Sequence, residues 1–182
     1  MKLYFAYGAN LNIANMRLRC ADAVTIQPLH LDGYRLAFSG VATIVPDDNN
    51  RVPGALWAIS DQDEIALDQF EGYPTLYRKE TVTQDGLEFM VYVMNANTPW
   101  EPGRSYLDTI AQGYHDWGLA QEDLDLAVQR TLWEMDYDMQ WSTTHGLGLG
   151  AGMEKPLRGQ PGHDLRWLRD DESADRCPSP VQ

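Results

Sequence analysis

Apolar positions along the chain alternate between short continuous runs and helical spacings, a pattern typical of a mixed α+β protein. The first run, Leu3 to Tyr7, is rich in aromatic residues and ends abruptly at Gly8, which predicts a buried strand. Asn12 is a candidate N-cap for a helix that begins near Ile13. We therefore expect the chain to leave a strand, pass through a tight turn at residues 8–10 and enter a helix.

The same patterns predict the elements of the following hundred or so residues. Strands are predicted at residues 24–29, 34–38, 42–45, 54–59, 80–83 and 89–94, and helices from Ser60 to near Gly72, at 105–117 and at 122–137. Turn residues at Asp32-Gly33 and at Gln84-Asp85-Gly86 predict hairpin turns, and the polar cluster 46–50 predicts a loop or hairpin tip. The fold class that follows from the pattern is α+β.

From residue 142 onward the periodicity is lost. Glycines at 146, 148, 150 and 152 alternate with small or apolar residues, and no Lys-Ser or Lys-Thr follows them, which argues against a Walker-type phosphate loop. The length of 182 residues fits one domain. We predict that this domain occupies residues 1–141 and that residues 142–182 form a Gly-rich, flexible C-terminal extension.

Composition narrows the range of partners. A hydrophobic content of 43% is that of a globular protein, and the net charge of −13 repels phosphate backbones, so nucleic acid is not expected as a partner. No apolar stretch reaches the length of a membrane span, and Met1-Lys2 lead directly into the first strand without a signal-peptide pattern, so no membrane partner is expected. The oligomeric state is left open by the sequence.

Cysteines and histidines indicate no metal chemistry. Cys20 and Cys177 lie far apart without ligand spacing, as is common in the reducing cytoplasm, and no two histidines have helical metal spacing. We expect a cytoplasmic protein that uses no metal and no cofactor.

Two segments are candidates for chemistry. A turn at Gly8-Ala9-Asn10, between a strand and a helix, can direct successive backbone N–H groups at one anionic atom; the alternative is an ordinary strand–helix connection. Glu71 lies at a helix end in an aromatic neighbourhood. Apolar surroundings and the negative end of the helix dipole would both raise its pKa, towards the range in which it can take and return a proton near neutral pH. The alternative is a solvent-exposed glutamate.

These two segments resemble parts of the γ-glutamylcyclotransferase family. Tyr7-Gly8-Ala9-Asn10-Leu11 is similar to the family's Tyr-Gly-Ser-Asn signature, with Ala9 in place of the serine. The segment 67–72, with Tyr77 after it, is similar to the segment that carries the family's catalytic glutamate, which is Glu71 here.

Two further segments follow in the family's order. Residues 91–94 resemble a strand that contributes a pocket tyrosine, here Tyr92, and residues 102–119 resemble a helix that contributes another, here Tyr106. Together the four segments cover residues 1 to about 135. The resemblance implies a small, mostly antiparallel β-barrel with flanking helices.

The resemblance also implies a reaction. In this family the α-amine of a γ-glutamyl amide attacks its own γ-carbonyl, and 5-oxoproline and a free amine or amino acid are released. The nucleophile belongs to the substrate, so the implied roles are few. Glu71 would act as general base and then general acid. Backbone amides from Gly8 to Leu11 would bind anionic oxygens, next to Tyr7, and Tyr77, Tyr92 and Tyr106 would hold the substrate folded. The alternative for each tyrosine is a place in the core.

Three functional hypotheses remain open on the sequence. The first is a cyclotransferase for γ-glutamyl amino acids. The second keeps the reaction and changes the leaving group, to a γ-glutamylamine or a γ-glutamyl-protected natural product. The third is a non-catalytic small-molecule binding or interaction protein on the same scaffold, which Ala9 favours and Glu71 disfavours.

Overall fold

The computed structural model describes residues 1–96 and 98–145. The strands are β1 (Lys2–Ala6), β2 (Val24–Ser39), β3 (Val41–Ile59), β4 (Tyr77–Gln84) and β5 (Leu87–Met94), and the helices are α1 (Ile13–Arg19), α2 (Asp61–Glu71), α3 (Arg104–Trp117) and α4 (Gln121–His145). A short 3-10 turn at Ala9–Leu11 lies between β1 and α1. The predicted extension lies outside the described residues from 146 onward, while α4 continues through residues 142–145.

The apolar run at the start of the chain forms the central strand of the sheet. The strand order is β2-β3-β1-β5-β4, and β1 pairs antiparallel with β3 and parallel with β5. β1 has a neighbouring strand on each side, and its residues Phe5 and Ala6 are completely buried. The strand predicted at residues 3–7 is confirmed as β1, with Tyr7 directly after it.

The α+β class is confirmed, but the description as a β-barrel was too strong. β2 and β4 are the two edges of an open sheet in the described part of the chain. A side chain, rather than a ladder of backbone hydrogen bonds, joins these edges: the Gln84 amide accepts from the Asp32 N–H (2.9 Å) and donates to the His30 carbonyl (2.8 Å). The sheet is therefore curled strongly enough for its edges to meet at one end.

The first predicted hairpin turn was wrong. Asp32-Gly33 does not reverse the chain, and β2 is one strand that continues to Ser39 before the turn at Gly40, where φ is +77°. Gly33 also has positive φ, but the ladder passes it as an irregularity, with residues 47–50 opposite it. A glycine can serve a bulge as well as a turn, so its presence alone does not locate the reversal.

The predicted helix boundaries at the two candidate segments are confirmed. The Asn12 side chain accepts from the Asn15 N–H at 3.0 Å and caps α1. Ser60 and Asp63 form a capping box at the start of α2. Gly72, in the left-handed conformation (φ +64°), ends this helix, so Glu71 is its last residue.

Helix α3 fixes the position of the 3-10 turn. A Cβ at Gly113 would lie 2.5 Å from Cβ of Leu11 and 2.8 Å from the Asn12 nitrogen, so α3 approaches the turn as closely as only glycine allows. The Trp117 indole N–H also donates to the Leu11 carbonyl at 2.8 Å. No helix within the described ranges is long and apolar enough to cross a membrane.

Candidate active site

A small pocket lies where β1 ends, next to the C-terminus of α2. Aromatic side chains dominate its wall. The lining residues are Tyr4, Tyr7, Gly8, Ala9, Asn10, Ala42, Phe70, Glu71, Tyr77, Tyr92 and Tyr106. The fold thus brings together, from the residues directly after β1, the 3-10 turn, α2, β4, β5 and α3, every site residue predicted from the sequence except Leu11.

Leu11 packs away from the pocket. Its side chain is completely buried in the core, and its backbone N–H donates to the Gly8 carbonyl at 3.0 Å. Since that amide is already engaged, Leu11 cannot serve as a donor for a ligand, and we assign it to packing against α3.

Gly8 lies close to its neighbours in the turn. A Cβ at this position would lie 3.1 Å from Cβ of Ala42 and 3.3 Å from the Tyr106 hydroxyl. An alanine there would need these neighbours to shift by a few tenths of an ångström. Ala9 follows, partly buried, and contributes a methyl group to the lining.

Glu71 is held by the side chain of Asn10. Its Oε1 accepts a hydrogen bond from Nδ2 of Asn10 at 2.7 Å, and the same amide group donates to the Tyr4 hydroxyl at 2.9 Å. The amide oxygen of Asn10 accepts from the Arg19 guanidinium. Asn10 was predicted to act through its backbone, and the structure shows that its side chain is also part of the site.

Burial dominates the titration of Glu71. Desolvation raises its pKa to about 7, against the opposing effects of the Arg19 charge and the Asn10 hydrogen bond. A carboxyl group in this range is present in both protonation states near neutral pH. Of the two causes expected from the sequence, the apolar surroundings are the one that the structure identifies.

Three tyrosine hydroxyls donate hydrogen bonds to acceptors within the protein. Tyr7 donates to the Tyr92 carbonyl, Tyr77 to the Ala42 carbonyl and Tyr92 to Asp68, each at 2.6 Å. Burial raises the pKa of all three, so they stay protonated at neutral pH. What they can offer to a ligand is therefore an oxygen lone pair, which accepts a hydrogen bond.

Tyr106 has the opposite arrangement. Its hydroxyl oxygen accepts from the Ala42 N–H at 3.1 Å, and the Ala9 N–H also interacts with it. Burial raises the pKa of Tyr106 to about 12. The hydroxyl therefore keeps a proton that is not committed to either amide and can be donated into the pocket.

The charge around the pocket is unevenly distributed. Glu71 is the acidic residue of the lining. Arg19 bonds to Asn10, the partner of Glu71, and Lys79 lies 2.7 Å from Asp68, the acceptor for Tyr92. Within residues 1–96 and 98–145, no group of three or more His, Cys, Asp and Glu side chains is placed to hold a metal ion.

Several residues of the site were missed by reasoning from the sequence. Tyr4, Ala42 and Phe70 line the pocket, and Arg19 and Asp68 support it from behind. Asp68 lies within the segment that resembles the family's glutamate region, so its position was a usable signal. Arg19 had no comparable signal, because it looks like any basic residue in the last turn of a helix.

Comparison with known proteins identifies the fold and the family. Residues 4–117 match the sequence model of the family described as gamma-glutamyl cyclotransferase, AIG2-like. The gamma-glutamylcyclotransferases of Mus musculus and Bos taurus are 28% and 30% identical to the chain over an alignment 138 residues long, which covers 66% of this chain and 73% of theirs.

Solved structures agree at the level of the fold. A structure named gamma-glutamyl cyclotransferase superposes with a TM-score of 0.60 at 21% identity, covering 92% of this chain and 96% of its own. YkqA from Bacillus subtilis superposes with a TM-score of 0.58 at 20% identity, covering 71% of this chain and 54% of its own. Because the family's sequence model matches residues 4–117, more than half of the chain, the chain belongs to the AIG2-like γ-glutamyl cyclotransferase family.

Proposed function

We propose that this protein converts a γ-glutamyl amide into 5-oxoproline and a free amine or amino acid. The observation that carries the proposal is Glu71, a carboxyl group with a pKa of about 7 at the wall of a pocket lined mainly by tyrosines. The free, buried Cys20 is compatible with the reducing cytoplasm, where we expect the protein to act.

One carboxylate suffices for both proton transfers. Glu71 removes a proton from the substrate α-ammonium, and the resulting amine attacks the γ-carbonyl carbon to form a five-membered ring. Glu71 then gives this proton to the amide nitrogen of the leaving group as the carbon–nitrogen bond breaks. The ring nitrogen still carries the second proton of the attacking amine; the ionised glutamate takes up this proton and passes it to the released amine, which leaves as an ammonium group. Glu71 thus ends the cycle as it began, ionised, and the ring nitrogen keeps one proton as the lactam N–H.

The division of hydroxyl groups into acceptors and a donor supports a particular orientation of the substrate. The Tyr7, Tyr77 and Tyr92 oxygens, together with Glu71, suit a cationic α-ammonium group. The Tyr106 hydroxyl, next to the backbone of Gly8–Asn10, suits an anionic oxygen, either the α-carboxylate or the oxyanion that forms during attack. Fixing both ends of the glutamyl group in this way holds it folded, and proximity of the reacting atoms supplies much of the acceleration.

Ala9 removes one possible side-chain donor from this arrangement. In the family signature a serine occupies this position, and its hydroxyl would enter the pocket where the Ala9 methyl group lies. Backbone donation does not depend on the side chain, so we propose that Ala9 affects the choice of substrate more than the reaction itself.

Incubation with a panel of γ-glutamyl dipeptides and γ-glutamylamines tests the proposal directly. We expect 5-oxoproline and the free amine to be released in equal amounts from at least one member, measured by mass spectrometry. The matched α-glutamyl peptides are the control, because their peptide bond is not at the γ-carbonyl and their amine should not be released. A panel in which no member releases 5-oxoproline above its spontaneous rate would refute the proposal.

A further inference from the structure

We propose that Arg19 is a positioning residue of this site, which acts on Glu71 through the side chain of Asn10. The inference rests on the proposed role of Glu71 as proton carrier. It assigns to Arg19 two effects: it fixes which end of the Asn10 amide faces the glutamate, and it places a positive charge behind the hydrogen bond. Arg19 itself does not line the pocket, so it touches neither the substrate nor the reacting atoms.

The orientation of the Asn10 amide follows from its neighbours. Its oxygen faces the Arg19 guanidinium, which can only donate, and its NH₂ group faces the Glu71 carboxylate (2.7 Å) and the Tyr4 hydroxyl (2.9 Å). In the flipped orientation the NH₂ group would face a guanidinium and the oxygen would face a carboxylate. Both contacts would be repulsive, so the arginine selects the orientation in which Asn10 holds the glutamate.

Arg19 is itself held in place by stacking. Its guanidinium carbon lies 3.3 Å from the centre of the Phe70 ring, and Phe70 directly precedes Glu71 in α2. The planar guanidinium can stack on a ring and donate a hydrogen bond in its own plane at the same time, which the ammonium group of lysine cannot do. Arg19 therefore couples the end of α1 to the end of α2 as well as to the 3-10 turn.

The surroundings of Glu71 make this charge influential. The titratable and charged groups that interact with it come from five elements and the residue after β1: Arg19 of α1, Tyr4 of β1, Tyr7, Tyr77 of β4, Tyr92 of β5 and Tyr106 of α3. The tyrosines are neutral at physiological pH, because burial raises the pKa of each. Arg19 is thus the cation of this set, and it opposes the rise in the Glu71 pKa that burial causes.

Arg19→Met is the informative variant, since it keeps an apolar chain against Phe70 and removes the charge and the donor. The matched control is Arg17→Met, which removes one positive charge from the exposed side of the same helix. Arg19→Lys keeps the charge and loses the planar stacking group. The readouts are the pKa of the Glu71 carboxyl group, followed by carbon NMR in each protein, and the acidic limb of the pH profile of kcat/KM.

We expect Arg19→Met to raise the pKa of Glu71 and to move the acidic limb upward by about one pH unit, since Arg19 lowers the pKa of Glu71 and a neighbouring opposite charge shifts a carboxyl group by about one unit or more. Arg19→Lys should lie between this variant and the wild type, and Arg17→Met should match the wild type. If Arg19 had a purely structural role, Arg19→Met would lower the thermal stability and leave the acidic limb of the pH profile unchanged.

An unchanged Glu71 titration in a folded Arg19→Met protein overturns the proposal. If Arg19→Met does not fold, Arg19→Lys tests the proposal in its place. In that variant the Asn10 amide is no longer fixed, so the pKa of Glu71 should still rise. The NMR titration needs no substrate. If the wild type is inert on every γ-glutamyl compound while the titration shifts as expected, the proposed function fails and the role of Arg19 stands.

Discussion

Five tyrosines line one pocket, and four of their hydroxyls, those of Tyr7, Tyr77, Tyr92 and Tyr106, differ in where each places its single proton. Tyr7, Tyr77 and Tyr92 donate to acceptors of the protein, whereas Tyr106 accepts from a backbone amide. The first three therefore present lone pairs to a ligand, and the fourth presents a proton. Identical side chains acquire different chemistry from the groups they bond to, and we propose that this separates the two ends of a glutamyl group.

Tyr106→Phe should lower kcat/KM by about 10- to 100-fold, the value of one hydrogen bond to a charged group. Tyr114→Phe is the matched control, because Tyr114 lies on the same helix with its hydroxyl buried and unpartnered among the described residues. Removing that hydroxyl should leave turnover unchanged. Steady-state kinetics on both variants provide the test, and equal activity of Tyr106→Phe and the wild type would contradict the donor role.

For single residues, the sequence predicted which positions line the pocket better than it predicted which groups their side chains contact. Glu71 was identifiable because a carboxylate among aromatic residues at a helix end is unusual, and the Tyr-Gly-Ala-Asn segment had a recognisable pattern. The contact between Arg19 and Asn10 was not identifiable, since it depends on how α1 leaves the 3-10 turn. The direction in which each tyrosine donates depends in the same way on acceptors that are distant in sequence.

Among the elements, the packing of α3 on the 3-10 turn controls the shape of the site. Gly113→Ala would place a methyl group 2.5 Å from Cβ of Leu11, so helix and turn must separate. We expect a loss of stability of about 1–3 kcal/mol, seen as a fall of several degrees in Tm, together with reduced activity. Activity should fall even at temperatures where the protein is folded, because the backbone of residues 8–10 moves.

Gly103→Ala is the control for this prediction. Gly103 precedes the same helix with φ of −64°, and a Cβ there meets nothing within 4 Å. This change should alter stability by less than about 1 kcal/mol. Similar losses in both variants would show that the effect comes from the glycine backbone and not from the contact with Leu11.

Elements with clear local signals were predicted correctly, and the remaining errors have a common physical origin. The β4–β5 hairpin has Asp85 and Gly86 in its turn, both with positive φ, as its sequence indicated. The β2–β3 hairpin was divided at Gly33, because a glycine next to an aspartate is also a strong turn signal. Only the long pairing with β3 shows that Gly33 lies in an irregularity and that the chain reverses at Gly40. Whether such a glycine lies in a turn or in a strand irregularity depends on pairing with residues that are distant in the sequence.

At the scale of the whole molecule, Glu71 links stability to pH. Its pKa is about 7 in the folded protein and about 4.3 in an unfolded chain, so the folded protein stays protonated at Glu71 to a higher pH. The stabilising contribution of the protonated group is complete below about pH 4.3 and is lost as the pH rises to about 7. Above that range the folded protein carries a buried charge.

Glu71→Gln removes this dependence, because the amide stays neutral. The difference in Tm between Glu71→Gln and the wild type should therefore become more favourable to the variant by several degrees between pH 5 and pH 8. Comparing the two proteins at each pH cancels the contribution of the other acidic groups, which is large for a chain with a net charge of −13. A difference that is constant across this range would show that the Glu71 pKa is not raised.

Turnover by folded Glu71→Gln protein is the most direct test of the role of Glu71 as the general base and acid. The variant keeps the size of the side chain and an oxygen that can accept from Asn10, but it cannot exchange a proton. Glu122→Gln, at an exposed position in the first turn of α4, is the control for loss of one carboxylate. Release of 5-oxoproline should be measured at pH 8 on preparations whose unfolding curves confirm that they are folded. We expect a loss of at least about 100-fold for Glu71→Gln and none for Glu122→Gln; turnover near that of the wild type in folded Glu71→Gln would show that Glu71 does not carry the proton.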